Sequence, residues 1–143
     1  MPTYVNDRDE RKEVFVAKQL RNFKGWDRYK FQKLPKHDNF DLALMDGRRV
    51  VSMIEIRCRD ITVEQYLDVY CGADKIIKAK ALAIPCLFVV WFEKSNRIGY
   101  RIMGDPDSYT VGKNYTRNDP NDNNLTGLYR VEKFNFFEVT DEA

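Results

Sequence analysis

The sequence predicts one mixed α/β domain in which a β-hairpin and a parallel β-α-β unit share a sheet. The length of 143 residues fits a single domain, since domains usually hold roughly 100–200 residues. The dipeptide Asp46-Gly47 separates two apolar stretches and is typical of a two-residue hairpin of type I′, whose central residues both take positive φ. A helical pattern over 73–83 lies between the apolar stretches 50–57 and 86–92, which indicates a right-handed β-α-β crossover.

The N-terminal elements follow from local periodicity. A helix is expected from Asp9 to about Phe23, with Val14, Ala17 and Leu20 on one face at helical spacing. Strands are expected at 40–45 and 48–57, and the second is apolar enough to be a central strand that is buried on both faces. The pattern at 66–70 is compatible with a short strand but does not require one.

The C-terminal half is less regular. Pro85 ends the second helix, and the apolar stretch 85–92 predicts a buried strand. A further strand is expected at 97–103 and a last one at 128–139. Between them, residues 104–124 are polar and predict a long loop, of a length that compact domains seldom contain without a reason.

Composition excludes several classes of protein. No apolar run approaches the ~18 residues of a membrane span, and the N-terminus carries no apolar segment of a secretory signal. The three cysteines are far apart and show no CxxC spacing, so we expect reduced thiols and a cytoplasmic protein. The single histidine, His37, excludes a multi-histidine metal site.

Charge is distributed unevenly along the chain. Residues 11–36 carry nine Lys or Arg against Glu13 and Asp27, a local net charge of +7, whereas residues 61–143 carry ten basic and twelve acidic side chains, a net of −2. A basic N-terminal third suits a polyanion such as nucleic acid. The alternative is a solvated helix face followed by a lysine-rich loop.

Two acids on the predicted hairpin suggest a metal site. Asp41 opens the first strand, and the turn register places it across from about Ser52, with Glu55 one pleat beyond. Together with the Ile56 carbonyl, these carboxylates offer the oxygen ligands that Mg²⁺ prefers. A carboxylate buried between Ile54 and Ile56 is costly unless it is paired or holds a cation. The alternative is therefore an ion pair of Glu55 with a nearby base, either Arg57 or Lys75.

The segment NFDLALMDGRRVVSMIEIRCR, residues 39–59, resembles the core of the PD-(D/E)xK nuclease superfamily, in particular its small phage-encoded members. That family combines an N-terminal helix bearing a Glu, an Asp on the first hairpin strand and a (D/E)-x-K motif on the second, followed by a helix and an apolar strand. The same order occurs here, with ERKEVFVAKQLRNFKGW before the hairpin and CGADKIIKAKALAIPCLFVVWF after it. The resemblance covers about residues 9–103 and implies a restriction-endonuclease-like mixed sheet flanked by helices, an α-β-β-β-α-β core, with a C-terminal β extension at 104–143.

The resemblance implies a role for each matching residue. Glu13, Asp41, Glu55 and the Ile56 carbonyl would hold Mg²⁺, for which Mn²⁺ can substitute; Asp38 and Glu10 are second choices for the acids. The motif lysine is replaced by Arg57, which stays protonated and cannot act as a general base, although it can stabilise the transition-state charge. Lys75 matches a helix lysine of many family members and would supply the ammonium.

The implied function is metal-dependent hydrolysis of phosphodiester bonds in DNA. Lys36, His37 and Arg59 are the candidate DNA contacts, although the pattern around His37 favours a loop histidine over a phosphate contact. The alternative function is an inactive nuclease-fold protein that binds DNA or has a structural role in a phage. Such a chain would act in the host cytoplasm, and many nucleases of this fold form homodimers. The aromatic side chains Phe134, Phe136 and Phe137 would either contribute to such a dimer interface or close the core.

Overall fold

The computed structural model describes residues 7–35, 40–107, 109–113 and 125–140, which form two helices and two sheets. The helices are α1 (Asp7–Lys24) and α2 (Ala73–Ala81). In chain order, the strands are β1 (Lys30–Lys33), β2 (Leu42–Asp46), β3 (Arg49–Arg59), β4 (Asp68–Gly72), β5 (Cys86–Phe92), β6 (Arg97–Ile102), β7 (Tyr109–Lys113), β8 (Leu125–Arg130) and β9 (Asn135–Glu138).

The larger sheet has six strands in the order β1-β2-β3-β5-β6-β9. β3 and β5 pair in parallel, with Glu55 beside Phe88, and all other neighbours in this sheet are antiparallel. β5 lies in the interior of the sheet and is buried along nearly its whole length, which explains its continuous apolar sequence. The predicted mixed α/β fold, with its parallel β-α-β unit, is confirmed.

The hairpin between β2 and β3 departs from the predicted turn and register. Asp46 pairs with Arg49, so the central residues are Gly47 and Arg48, and of these two only Gly47 has a positive φ, +61°. The type I′ prediction is therefore wrong, since a positive φ at the first central position alone matches type II′. A register irregularity after Leu44 then shifts the pairing by one residue.

The shifted register changes the position of the first acid. Leu42 pairs with Ile54, so the next positions outward are Asp41 and Glu55. The expectation that Asp41 lies across from Ser52 is wrong, because Ser52 pairs with Leu44. As a result, the two acids lie near one another on opposite strands at the open end of the hairpin, where the Asp41 N–H donates to the Ile54 carbonyl.

Helix α1 packs over one face of the larger sheet through Val16, Ala17 and Leu20, which are all buried. The prediction that Val14 belongs to this face is wrong, since Val14 is 53% exposed. Gln19 is buried instead, because its amide satisfies the backbone of Thr140: it donates to the carbonyl at 3.0 Å and accepts from the N–H at 3.0 Å.

The smaller sheet, in the order β4-β8-β7, was not predicted as a separate unit. The expected strand at 66–70 begins at Asp68 and belongs to this sheet, and β7 occupies part of the stretch 104–124 that was expected to be a loop. The expected strand at 128–139 is interrupted by a 3-10 turn at Val131–Lys133, so that β8 and β9 join different sheets. Residues 114–124 lie outside the described residues.

Helix α2 lies against β8 because a glycine lets it approach closely. A Cβ added at Gly127 would lie 2.1 Å from Ile76 Cδ1, far inside contact distance. Ile76 and Ala79 are the buried residues of this helix. This contact fixes the first turn of α2, which carries Lys75, above the face of β3 opposite to α1.

Phe134 and Phe137 are buried and Phe136 is half-buried, so these side chains close the core. The homodimer and the single-domain bounds 1–143 stay predictions. All three cysteines, Cys58, Cys71 and Cys86, are free. Within the part of the chain that the structure describes, no helix combines the length and apolar character needed to cross a membrane.

Candidate active site

Glu55 is the buried acid of the site, with 2% of its surface exposed. Its neighbours Ile54 and Ile56 pack into the cluster beneath α1, whereas Met53 packs into the cluster on the other side of the sheet. Because side chains alternate along a strand, Glu55 points away from α1, toward α2 and the smaller sheet. Burial, together with the nearby charge of Asp41, raises the pKa of Glu55 to about 7, although Lys75 and Arg57 act in the opposite direction.

Two bases contact the same oxygen of this carboxylate. Lys75 Nζ donates to Glu55 Oε2 at 2.5 Å, and Arg57 Nε lies 3.5 Å from the same oxygen. The lysine side chain is 25% exposed and that of the arginine 43%, so the ammonium is the more enclosed of the two charges. The ion-pair alternative considered for Glu55 thus exists with both bases.

The second carboxylate oxygen, Glu55 Oε1, is buried and has no hydrogen-bond partner among the described residues. An unpartnered buried carboxylate oxygen is unfavourable in a protein interior. The two ion pairs therefore do not satisfy the whole group, and one oxygen stays available for a cation.

Asp41 lies beside Glu55 through the backbone of β3. Its Oδ2 accepts a hydrogen bond from the Ile56 N–H at 2.7 Å, and its own N–H donates to the Ile54 carbonyl at 3.0 Å. The N–H and C=O of one strand residue point to the same side of the strand. The Ile56 carbonyl therefore points to the strand edge at which the Asp41 carboxylate lies.

These groups form a partial set of ligands for a hard cation. Asp41, Glu55 and the Ile56 carbonyl supply oxygens, and Mg²⁺ is usually bound by one or two carboxylates while it keeps several waters. Across residues 7–35, 40–107, 109–113 and 125–140, no group of three or more acidic, cysteine or histidine side chains is close enough to hold a metal ion. The candidate ligands are thus limited to two carboxylates and one backbone carbonyl, and Mg²⁺ at this place stays a prediction.

The acids of α1 lie on the face of the hairpin that α1 covers, opposite to the face that carries Glu55. Glu10 Oε1 accepts from Lys33 Nζ at 2.7 Å. This hydrogen bond is the main cause that raises the pKa of Lys33, and the charges of Glu13 and Asp41 contribute. Glu13 and Asp41 therefore both lie within electrostatic range of the Lys33 ammonium. The role of Glu13 as a metal ligand stays a prediction, as does that of Glu10 as its substitute.

Of the three predicted DNA contacts, Arg59 belongs to the described residues. Arg59 ends β3 and is exposed, two residues beyond Arg57 on the same face of the strand. Lys36, His37 and the alternative acid Asp38 lie outside the described residues.

The lysines of β1 were counted in the basic N-terminal third, but their placement on a strand was not predicted. This strand was not predicted, although the alternation in Lys-Phe-Gln-Lys was the available signal. It places Lys33 near α1 and Lys30 on the opposite face.

A buried cysteine, Cys71, lies beside the site. Burial, together with the charge of Glu55, raises the pKa of Cys71 to about 12. A thiol with this pKa stays protonated at neutral pH and is a poor nucleophile and metal ligand.

A mixed sheet with two acids at the open end of a central hairpin, faced by a lysine from the crossover helix, defines the class of restriction-endonuclease-like nuclease folds. Within this class the chain belongs to the family described as "Phage putative PDDEXK endonuclease", whose model matches residues 1–135. The resemblance seen in the sequence is thereby confirmed.

A solved structure shows the same fold at low sequence identity. A nuclease from a fusselovirus is similar with a TM-score of 0.55 and 13% identity, covering 93% of this chain and 89% of that chain. The Holliday junction resolvase Hjc of Archaeoglobus fulgidus is similar with a TM-score of 0.49 and 11% identity, covering 83% of this chain and 84% of that chain. No curated protein matches the chain.

Proposed function

We propose that this protein is a Mg²⁺-dependent endonuclease that hydrolyses phosphodiester bonds in DNA. Membership of a PDDEXK endonuclease family supports the class of reaction. The observation that carries the proposal is the Glu55 carboxylate, which is buried beside Asp41 and bound by the Lys75 ammonium at 2.5 Å. Buried acids with raised pKa values that are paired with a specific base are typical of catalytic sites.

In this proposal, Lys75 has the role that the motif lysine has in the family. Arg57 stands at the motif position but stays protonated, so it cannot accept a proton from the attacking water. Lys75 reaches the same carboxylate from α2 and is the less exposed of the two bases. In the proposed mechanism Lys75 stays protonated, as Arg57 does. Its ammonium orients the attacking water, which releases its proton to solvent, and both bases stabilise the negative charge that develops on the phosphate.

The metal would be held by Asp41, Glu55 and the Ile56 carbonyl. The unpartnered Glu55 Oε1 is the observation that fits this assignment. A bound Mg²⁺ would supply polarisation of the phosphate and a water of lowered pKa. The chain itself holds Glu55 between the Lys75 ammonium and the Arg57 guanidinium, and it fixes Asp41 through a hydrogen bond from the Ile56 N–H.

One observation favours the second candidate, a nuclease-fold protein that binds DNA without cleaving it. Arg57 replaces the motif lysine, and a guanidinium at that position removes one route to proton transfer. The two candidates differ in turnover only, because both retain the basic surface.

A cleavage assay separates them. Labelled linear, supercoiled, single-stranded and four-way DNA would be incubated with Mg²⁺, Mn²⁺ or EDTA, using the wild type, Asp41→Asn and Glu55→Gln. Asp46→Asn is a matched control, because Asp46 lies at the far end of the same hairpin and binds Arg28 and Arg49. Cleavage that requires the metal and both site acids supports the nuclease. DNA retained in a gel shift without any cleavage supports the binding protein.

A further inference from the structure

The basic side chains on the acid-bearing face of the larger sheet lie on both sides of the acid pair. Phe31 packs into the cluster beneath α1, so its neighbours Lys30 and Gln32 point to the opposite face, which also carries Glu55. On β3, Arg57 and Arg59 lie on the face of Glu55, toward the end of the strand. Basic groups therefore extend from the acids in two opposite directions.

Strand register gives the spacing along this line. Lys30 pairs with Met45, four residues from Asp41, which places it about 14 Å from the acids at about 3.4 Å per residue. Arg59 lies four residues beyond Glu55, about 13 Å in the other direction. Along the strand direction, Lys30 and Arg59 are therefore about 27 Å apart, or about eight base-pair steps of duplex DNA at about 3.4 Å each.

Lys30 can bind an anion, because its ammonium forms no ion pair within the described part of the chain. Lys30 is exposed and has no ion pair with any residue that the structure describes. By contrast, Asp46 at the nearby turn interacts with both Arg28, at 2.6 Å, and Arg49, at 3.5 Å. The turn end of the hairpin therefore carries a net positive charge beside Lys30.

We propose that Lys30 and Arg59 bind phosphates of duplex DNA on opposite sides of the cleaved bond, so that a duplex of about eight base pairs passes the exposed side chains of β1 and of the end of β3, outside the area that α2 and the smaller sheet cover. This inference rests on the proposed function, since it presupposes that Asp41 and Glu55 act on DNA. It assigns a DNA contact to β1, the edge strand. The competing explanation is that Lys30 only protects this edge from pairing with another strand.

Salt dependence of binding tests the assignment. Binding of the full chain to a labelled duplex of about 24 base pairs would be measured by fluorescence anisotropy over a range of NaCl, with Ca²⁺ in place of Mg²⁺. The variants are Lys30→Gln and Arg59→Gln. The matched control is Lys18→Gln, which removes an exposed charge from α1, on the opposite side of the sheet.

Each lost phosphate contact is expected to lower the slope of log K against log[salt] by about 0.9. This corresponds to binding that is weakened about fivefold at about 0.15 M salt. Lys30→Gln and Arg59→Gln should each show this change and the double variant twice the change in slope, whereas Lys18→Gln should match the wild type. Equal thermal melting of the variants would show that they are folded.

A Lys30→Gln slope equal to that of the wild type overturns the duplex path, even if the wild type cleaves DNA. A wild type that binds only single strands also overturns it. A wild type that neither binds nor cleaves DNA overturns the proposed function and this inference together.

Discussion

Replacement of Lys75 by methionine should make the stability of the fold depend more steeply on pH in the alkaline range. The variant removes the ammonium that lies 2.5 Å from Glu55 Oε2 and keeps an apolar stem of similar length. Glu55 then stays buried, with Arg57 at 3.5 Å as its remaining partner among the described residues. The pKa of Glu55 in the folded protein, which is about 7 in the wild type, must therefore rise further.

The sign and size of the effect follow from proton linkage. An acid whose pKa is higher in the folded state than in the unfolded state makes the fold less stable as the pH rises between the two values. In the wild type this loss, about 3 kcal/mol in all, ends near pH 7. An opposite charge at this distance usually lowers an acid pKa by about 1–3 units, so the variant should keep losing about 1.4 kcal/mol per pH unit above pH 7.

The measurement is the free energy of unfolding by urea at about pH 6, 7, 8 and 9 for the wild type, Lys75→Met and Lys78→Met. Lys78 is an exposed lysine on the same helix, so its variant has the same net charge without the buried contact. Titration of the three cysteines is common to all three proteins and cancels in the differences. Between pH 6 and pH 9, Lys75→Met should lose about 1.4–3 kcal/mol more than Lys78→Met. Parallel curves for the two variants would show that Lys75 does not lower the pKa of Glu55.

Three other predictions test the site and the fold. Asp41→Asn should lower DNA cleavage by at least about a hundredfold and leave DNA binding intact, because asparagine can still accept from the Ile56 N–H; unchanged cleavage would remove Asp41 from the site. Arg57→Lys should change kcat/KM by less than about tenfold, since an ammonium already reaches Glu55, and a gain of a hundredfold or more would show that the arginine silences the enzyme. Gly127→Ala should lower the free energy of unfolding by about 1–3 kcal/mol, because the new Cβ would meet Ile76 Cδ1, and adding Ile76→Val should restore part of it; a neutral Gly127→Ala variant would contradict the close packing of α2.

Local patterns predicted the elements whose signals are contained within a few residues. Gly47 marks the hairpin, and the apolar stretch of β5 marks a buried strand, because each depends on backbone or burial preferences of adjacent residues. The face of α1 was less predictable. Gln19 is buried only because Thr140, 121 residues away, pairs with its amide, and no pattern within the helix shows that contact.

Pairing between distant strands could not be predicted from periodicity. β8 and β9 have the same alternation whichever sheet they join, so the separate smaller sheet was missed. β1 was missed because most of its side chains are exposed and only Phe31 packs inward.

The candidate site shows the same limit. Asp41, Glu55 and Lys75 were identified from the sequence and its resemblance to the nuclease superfamily, but their mutual positions depend on structure. A register irregularity after Leu44 places the two acids near each other on opposite strands. The close approach of α2 at Gly127 then sets the height of Lys75 above Glu55.

The nuclease assignment is tested most directly by the rate at which supercoiled plasmid is nicked in Mg²⁺ by the wild type, Lys75→Met and Lys78→Met. We expect nicking by the wild type that EDTA abolishes, a rate for Lys75→Met that is lower by about a hundredfold or more, and a Lys78→Met rate equal to that of the wild type. Nicking by Lys75→Met at the wild-type rate would contradict the assignment of the catalytic ammonium to α2. No nicking by the wild type, in either Mg²⁺ or Mn²⁺, would contradict the nuclease itself.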